Sequence, residues 1–387
     1  MNFILTSPHF PTNFQTFAVR LHQAGFTTLG IADEPYDQLS PELRAALTEY
    51  YRVDDMQDYD QMYRAVAYFA HKYGRIDRIE SNNEFWLETD ARLRTDFNIP
   101  GLKAADMDPI KHKSKMKAVF RQNGIPVARG RVFVDQADGQ ALAKELGLPV
   151  IIKPDSGVGA SNTYRITTQD QLDQFFKEAD QNVTYIMEEF IEGDIVTFDG
   201  LTDQDGKIVF SSSLYHNIAV LDIVAGDSDM FYHISRQVPQ DIQALGEKCV
   251  AAFGIKERFF HFEFFRLKKD GSLMALEINC RPPGGATIDM FNYANDFDIF
   301  SEYANIVKEN QFKAPLTRPY HCAYISRKDK YHYLHSEADI YQHYGQYIVD
   351  KQTIPGVFSS IMGNVGYILK VAEEDKLLEM LSYIQAR

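Results

Sequence analysis

The stretch FFHFEFFRLKKDGSLMALEINCRPPGGAT, residues 259–287, decides the fold. Two apolar runs flank Lys269-Asp270-Gly271, and a three-residue hairpin loop favours glycine at its last, left-handed position. With that loop, Lys268 pairs with Ser272 and Glu263 faces Glu277. Alternation then puts Asn279 on the face of Glu277, with Met274, Leu276 and Ile278 pointing into a core. Opposed side chains lie about 5 Å apart at Cβ. Two carboxylates that close repel by roughly 3 kcal/mol at an effective dielectric near 20. Such a pair persists if one acid is protonated or a cation lies between them, and an amide oxygen beside them favours a hard cation, Mg²⁺ or Mn²⁺. Arg281 follows on the same face, and Pro282-Pro283-Gly284-Gly285 ends the strand. The competing reading is a half-solvated hairpin whose acids face water.

Outward from this hairpin the patterning changes. Upstream, IVTFDGL and KIVFSSSL flank a turn at Asp203–Gly206, which reads as a second antiparallel hairpin. Pro239–Phe253 is a helix ended by Gly254, and another begins near Ile288. HCAYIS, QYIVD and VGYILK are short strands, and a last helix runs from Glu373 to about Tyr383. His332 and His335 have helical metal spacing, but their segment is aromatic and irregular and is not read as a metal site.

Further upstream, Asp108–Asn123 reads as one helix carrying Lys111, Lys113, Lys115 and Lys117, stopped by Gly124-Ile125-Pro126. Arg131–Val134 and Pro149–Lys153 are strands around the helix Ala137–Leu146. The second strand ends in Lys153-Pro154 and a small-residue loop, DSGVGAS (155–161). Backbone N–H groups in such a loop can approach phosphate oxygens, with the lysine as a point charge. A helix at Gln169–Ala179 and a strand at Val183–Met187 lead into Glu188-Glu189-Phe190-Ile191-Glu192-Gly193. The first hundred residues open β-α-β, with strands at Asn2–Thr6 and Thr27–Ile31 and a strong amphipathic helix at Asp60–Lys72. They lack the Gly-x-Gly-x-x-Gly fingerprint of a dinucleotide site. Glu80, Asn82, Asn83 and Glu84 either face a cleft or cap a loop.

At 387 residues, the chain should hold two or three domains. A net charge of −14 argues against nucleic acid or an anionic membrane as partner. No run approaches the ~20 apolar residues that span a bilayer. The start reads as a buried strand, not a signal peptide, and Cys249, Cys280 and Cys322 lie far apart. A cytoplasmic location is expected.

KPDSGVGAS, MEEFIEG and HFEFFRLKKDG…LEINCRPPGG, in this order, make the chain resemble the ATP-grasp superfamily. Within it, the resemblance is to carboxylate–amine ligases related to L-amino acid ligases and biotin carboxylase. The resemblance implies an α/β chain in three parts. Residues 1–102 would be a Rossmann-like pre-ATP-grasp domain, 103–187 a small α+β lid, and 188–387 a larger antiparallel-sheet subdomain with the substrate-side C-terminus. It implies ATP bound through Lys113 and Lys153, with Ser156, Gly157, Gly159 and Ser161 in a flap over the phosphates. Glu188, Glu189, Phe190 and Ile191 would hold adenine, with Glu188 on its exocyclic amine. Glu263, Glu277 and Asn279 would hold the metal, and Arg281 with Lys153 would act at the reaction centre. One position departs: Ile195 stands where the family has a glutamate near the ribose, and Asp194 or Glu192 would substitute.

The implied reaction joins a carboxylate to an amine through an acyl phosphate, releasing ADP. His216, Asn217, Arg236, Gly284, Gly285, Met290, Arg327 and Met362-Gly363-Asn364 are candidates to line the pocket for these small molecules. The alternatives are a bicarbonate-activating, biotin-carboxylase-like enzyme and a non-catalytic ATP-binding regulator. Relatives of this architecture are often dimers, so a homodimer is expected.

Overall fold

A computed structural model describes residues 1–157, 162–217, 228–354, 356 and 359–387. Three sheets organise them. The first is parallel, in the order β3-β2-β1-β4, built from β1 (Asn2–Thr6), β2 (Thr27–Ala32), β3 (Glu49–Arg52) and β4 (Arg78–Glu80). Its two central strands, β1 and β2, are buried along almost their whole length, as a parallel sheet covered by helices requires. The Asp60–Lys72 pattern becomes the helix Tyr59–Tyr73, whose Met62, Ala65, Val66 and Phe69 are buried.

The second sheet is antiparallel, in the order β5-β8-β6-β7: β5 (Gly130–Val132), β6 (Val150–Pro154), β7 (Tyr164–Ile166) and β8 (Tyr185–Glu189). Helices Gln136–Leu146 and Gln169–Glu178 supply Leu142, Leu146, Leu172 and Phe175 to its own small core.

The third sheet joins nine described strands. Eight follow the order β14-β13-β9-β11-β12-β15-β17-β16, and β10 adds to β9. They are β9 (Gly193–Thr202), β10 (Ile208–Ser212), β11 (Leu214–His216), β12 (Phe231–Ile234), β13 (Phe259–Leu267), β14 (Leu273–Asn279), β15 (His321–Arg327), β16 (Ile348–Thr353) and β17 (Val365–Val371). KIVFSSSL, expected as one strand, is two, divided at the buried Ser213.

The deciding hairpin keeps its central pairing by a different route. The turn holds four residues, Lys268–Gly271, with Leu267 N–H donating to Ser272 O at 2.9 Å and Gly271 at φ 73°. That shifts the nearby pairs to Arg266–Leu273 and Phe264–Ala275. A bulge at Leu276 then restores Glu263 opposite Glu277 and His261 opposite Asn279. The core face is therefore Ala275 and Ile278, both buried, and not Met274 and Leu276.

The lysine helix is also broken. Asp108–Lys111 and Lys113–Gln122 are separate helices around an extended His112 (φ −101°, ψ 115°). Asp155, just beyond β6, compensates the second helix start. Its carboxylate accepts from Ser114 N–H at 2.7 Å and Ser114 Oγ at 2.9 Å, and its carbonyl from Lys113 N–H at 2.8 Å. This contact fixes Lys113 beside the Lys153 strand end.

The parallel-sheet unit meets the large-sheet unit through helices Gln15–Gln23 and Ile299–Glu309. Phe17 meets Phe300 at 4.8 Å and Tyr303 at 5.4 Å between ring centroids. Arg258, at the entry to β13, donates to Cys280 O at 2.8 Å and pairs with Glu80 of β4.

Candidate active site

Alternation along β13 and β14 points Glu263, Glu277 and Asn279 to one face of the large sheet. The two carboxylates differ in environment. Burial pushes both up, but His261 Nε2, 3.2 Å from Glu263 Oε1, and the charges of His261, His216 and Arg281 hold the Glu263 carboxyl below its usual range. Glu277 is held above it by burial and by the charge of Glu263, against the lysines. Among the described residues, no hydrogen bond or ion pair reaches the Glu277 carboxylate.

His261 was not singled out from sequence, although its place two residues before Glu263 puts it on the same face. Its Nδ1 lies 2.5 Å from Asp199 Oδ1 on β9, and Asp199 also accepts from Thr197 Oγ1. Burial lowers the His261 pKa, but Asp199 and Glu263 outweigh it and raise the imidazole to about 9. Asp199 belongs to a strand that pairs with β13 only through long-range register, which no local pattern reveals.

The lysines sort themselves by partner. Lys111 pairs with Glu84 at 2.9 Å, and Lys115 pairs with Asp108. Lys113 is buried and donates to Gly157 O at 3.4 Å. The charges of Lys113 and Lys153 both reach Glu277. Glu188 lies between Lys117 Nζ at 3.1 Å and Lys153 Nζ at 3.3 Å. Burial raises its carboxyl, and these two ammonium groups pull it below the usual range. Its carboxylate, expected at adenine, is thus engaged with lysines. Lys117, ordinarily read as part of a solvated face, is 1% exposed.

Glu189 pairs with Arg129 at 2.7 Å, and the Phe190 ring lies 4.1 Å under the Arg165 guanidinium. Ile191 is half-buried and Asp194 exposed at the start of β9. Ser156 and Gly157 (φ 128°) follow Asp155. Gly159 and Ser161 lie outside the described residues.

Arg281 donates to Pro282 O at 2.7 Å and to Asn279 Oδ1 at 3.4 Å, and its Nε lies 3.5 Å from Glu84 Oε2. The first hundred residues therefore reach the site through Glu84. Glu80 does not: it is buried among Arg94 and Arg258. Asn83 caps its own loop, accepting from Phe85 N–H at 3.0 Å.

The pocket candidates divide likewise. Asn217, Arg236 and Arg327 hydrogen-bond to backbone groups, leaving Arg327 Nη2 buried without a hydrogen bond, and Met290 is 0% exposed in the core. Asn364 ties its loop to Arg327 O at 2.8 Å, and Gly363 packs against Ser326 where a Cβ would lie 2.7 Å away. His216 is half-buried in the field of Glu263 and carries an Nδ1 without a hydrogen bond. Gly285 is open enough for a Cβ only up to Tyr232 Oη at 3.0 Å and Met362 Cε at 3.1 Å. Gly284 faces no atom within 4 Å of a Cβ.

Among the described residues, no group of three His, Cys, Asp or Glu side chains is arranged for a metal. Two carboxylates and an amide oxygen, one carboxylate held above its usual range by burial and by the other, nevertheless fit a hard divalent cation.

Residues 146–289 match the family of ATP-grasp domains. This stretch is an ATP-grasp domain. It is similar to the L-arginine-specific L-amino acid ligase of Bacillus subtilis, 29% identical over 265 residues, which make up 66% of this chain and 63% of that protein. The chain thus spans less than two thirds of that relative. Among solved structures, the chain is similar in fold to an L-amino acid ligase from Bacillus licheniformis. The TM-score is 0.75 at 16% identity, covering 98% of this chain and 95% of that one. An N5-carboxyaminoimidazole synthetase from Staphylococcus aureus, complexed with ADP, gives a TM-score of 0.71 at 13% identity over 98% and 95%. No described helix is long and apolar enough to cross a membrane.

Proposed function

We propose that this protein is an ATP-dependent ligase that joins a small carboxylate, such as an amino acid, to an amine and forms ADP and phosphate. The observation that carries the reading is Glu263 opposite Glu277 beside Asn279, with Lys113, Lys153 and Arg281 converging on the same face. The similarity to the arginine-specific ligase, extending beyond the ATP-grasp domain, supports it.

Glu263, Glu277 and Asn279 would hold Mg²⁺, which when bound neutralises phosphate charge. Lys113 and Lys153 add their charge on the lid side, and Ser156 and Gly157 lead into the segment that would cover the phosphates. Phosphoryl transfer needs little covalent help, so positioning and charge neutralisation dominate. The substrate carboxylate oxygen attacks the γ-phosphorus, ADP leaves, and an acyl phosphate remains. Arg281 binds that carboxylate first and then the oxyanion formed when the amine attacks. Glu188, bridged to Lys117 and Lys153, keeps both ammonium groups charged in a buried setting. ATP affinity alone would not require Arg281, which disfavours a binding-only protein.

Incubation of the protein with Mg²⁺·ATP and amino acids, singly and in pairs, with ADP and product masses read out, tests this. The ligase reading expects ADP matched by a condensed product that requires both partners. ADP release that needs bicarbonate and no amine would replace it with a bicarbonate-activating enzyme. No ADP release with any mixture would refute it.

A further inference from the structure

Arg281 and Lys153 account for the electrophile, but nothing above accounts for the amine. An amine substrate arrives at neutral pH largely as an ammonium, since α-amino groups titrate near 7.7–8.0. It must be seated and deprotonated beside the acyl phosphate.

The loop after β4 supplies a candidate. Glu84 has its side chain 12% exposed, and its two oxygens stand in different positions. Oε1 is taken by Lys111 Nζ at 2.9 Å, and the same ammonium donates to the Glu84 carbonyl at 3.1 Å. Oε2 is buried and has no hydrogen bond, and it faces Arg281 Nε at 3.5 Å, beyond a good hydrogen bond. A buried carboxylate oxygen left without a donor is costly, so such a group calls for a partner. Asn82, two residues earlier, is 5% exposed, sits at φ 55°, and also leaves its amide nitrogen unpaired. The loop thus holds two orphaned polar groups within two residues.

The distances suit the chemistry. A carbonyl oxygen held by Arg281 and a nitrogen held by Glu84 Oε2 each sit about 2.9 Å from their partners. With the two side chains 3.5 Å apart, there is a placement that seats nitrogen and acyl carbon within near-attack range, about 3–3.5 Å.

We infer that Glu84, fixed by Lys111, is the residue that receives the ammonium of the amine substrate and takes a proton from it. This rests on the ligase reading. The ammonium loses two protons on becoming an amide. Glu84 Oε2 takes the first and frees the lone pair, which forms the C–N bond. The C–O bond to phosphorus breaks, the second proton leaves with the phosphate as hydrogenphosphate, and Glu84 returns its proton to water.

The test separates the two half-reactions. With Mg²⁺·ATP and hydroxylamine, each amino acid reports its acyl phosphate as a hydroxamate, because hydroxylamine is an uncharged nucleophile at pH 7 and needs no ammonium seat. With a second amino acid in its place, the product is the amide. Glu84→Gln should keep hydroxamate formation within about threefold of wild type while amide formation falls about a hundredfold or more. Amide formation by the variant should then climb with pH towards 9 as free amine accumulates, more steeply than in wild type. Glu84→Asp, which keeps the charge, should fall between the two; if Glu84→Gln does not fold, it must show the same split. Equal losses of hydroxamate and amide in a folded variant, or no loss of either, would overturn the assignment. A wild-type protein forming neither product would overturn the ligase reading itself, an outcome distinct from a wild type active in both and a variant without a split.

Discussion

Two buried clusters of charge lie along the β13–β14 hairpin, one beside its open end and one at its middle, and they are built on different rules. At the joint with the parallel sheet, Glu80 and Asp90 meet Arg94 and Arg258. Glu80 Oε1 receives Arg94 at 2.8 Å and also Arg258, while Asp90 accepts from Thr6 Oγ1 at 2.6 Å and Ser81 N–H at 2.8 Å. Two negative groups are matched there by two positive ones. On the site face, Glu263 and Glu277 oppose each other, with the opposing charges on Lys113, Lys153, His261 and Arg281. One cluster is balanced in charge within the folded chain, although Glu80 Oε2 and Arg94 Nη2 make no hydrogen bond; the other sets like charges against each other.

The strongest way to break this comparison is to neutralise one acid in each cluster. Glu277→Gln should abolish ADP formation, by about a thousandfold or more if the lost charge is worth several kcal/mol. Its melting temperature without nucleotide should stay level or rise, because a repulsion is relieved. Glu80→Gln should do the reverse. Stripping one partner from a buried ion network costs about 3–5 kcal/mol, a large share of the ~5–15 kcal/mol that holds a typical domain. The variant should unfold at visibly lower denaturant while ADP formation per folded molecule is retained. Similar stability losses in both variants would erase the distinction.

A smaller effect sharpens it. Asp289, near Gly285, is pushed up to about 6 by burial and by Asp350, against its 2.8 Å hydrogen bond from Asn13. Its folded pKa lies above the unfolded value, so the folded state binds the extra proton. Its contribution is fully present below about pH 4 and is lost as pH rises through about 6, by at most about 3 kcal/mol. Asp289→Asn should flatten the stability curve in that window and leave it unchanged below; denaturant titrations from pH 3.5 to 7 would show it.

Much of this was legible in the chain. Periodicity and turn residues placed the three groups of strands, and the Glu263–Glu277 pairing followed from alternation around one glycine. That pairing survived because two departures cancel: a longer turn and the bulge at Leu276. A bulge is decided by how the strand twists onto its neighbours, so the core assignments of Met274 and Leu276 could not be read locally. The break at His112 has the same origin, since it forms around Asp155, more than forty residues away. The His261–Asp199 pair and the approach of Glu84 to Arg281 depend on register and packing between separate sheets. Sequence named the acids and the lysines; it could not say which lysine each acid would hold.

The central claim is that Glu263 and Glu277 coexist to hold a divalent ion that carries nucleotide. Calorimetric titration of ADP into the protein, with and without Mg²⁺, in wild type and Glu277→Gln tests it directly. The account predicts that ADP binding by wild type tightens markedly with Mg²⁺ and that the variant loses this dependence. Equal ADP affinity in all four titrations, or Mg²⁺ dependence undiminished in Glu277→Gln, would contradict it.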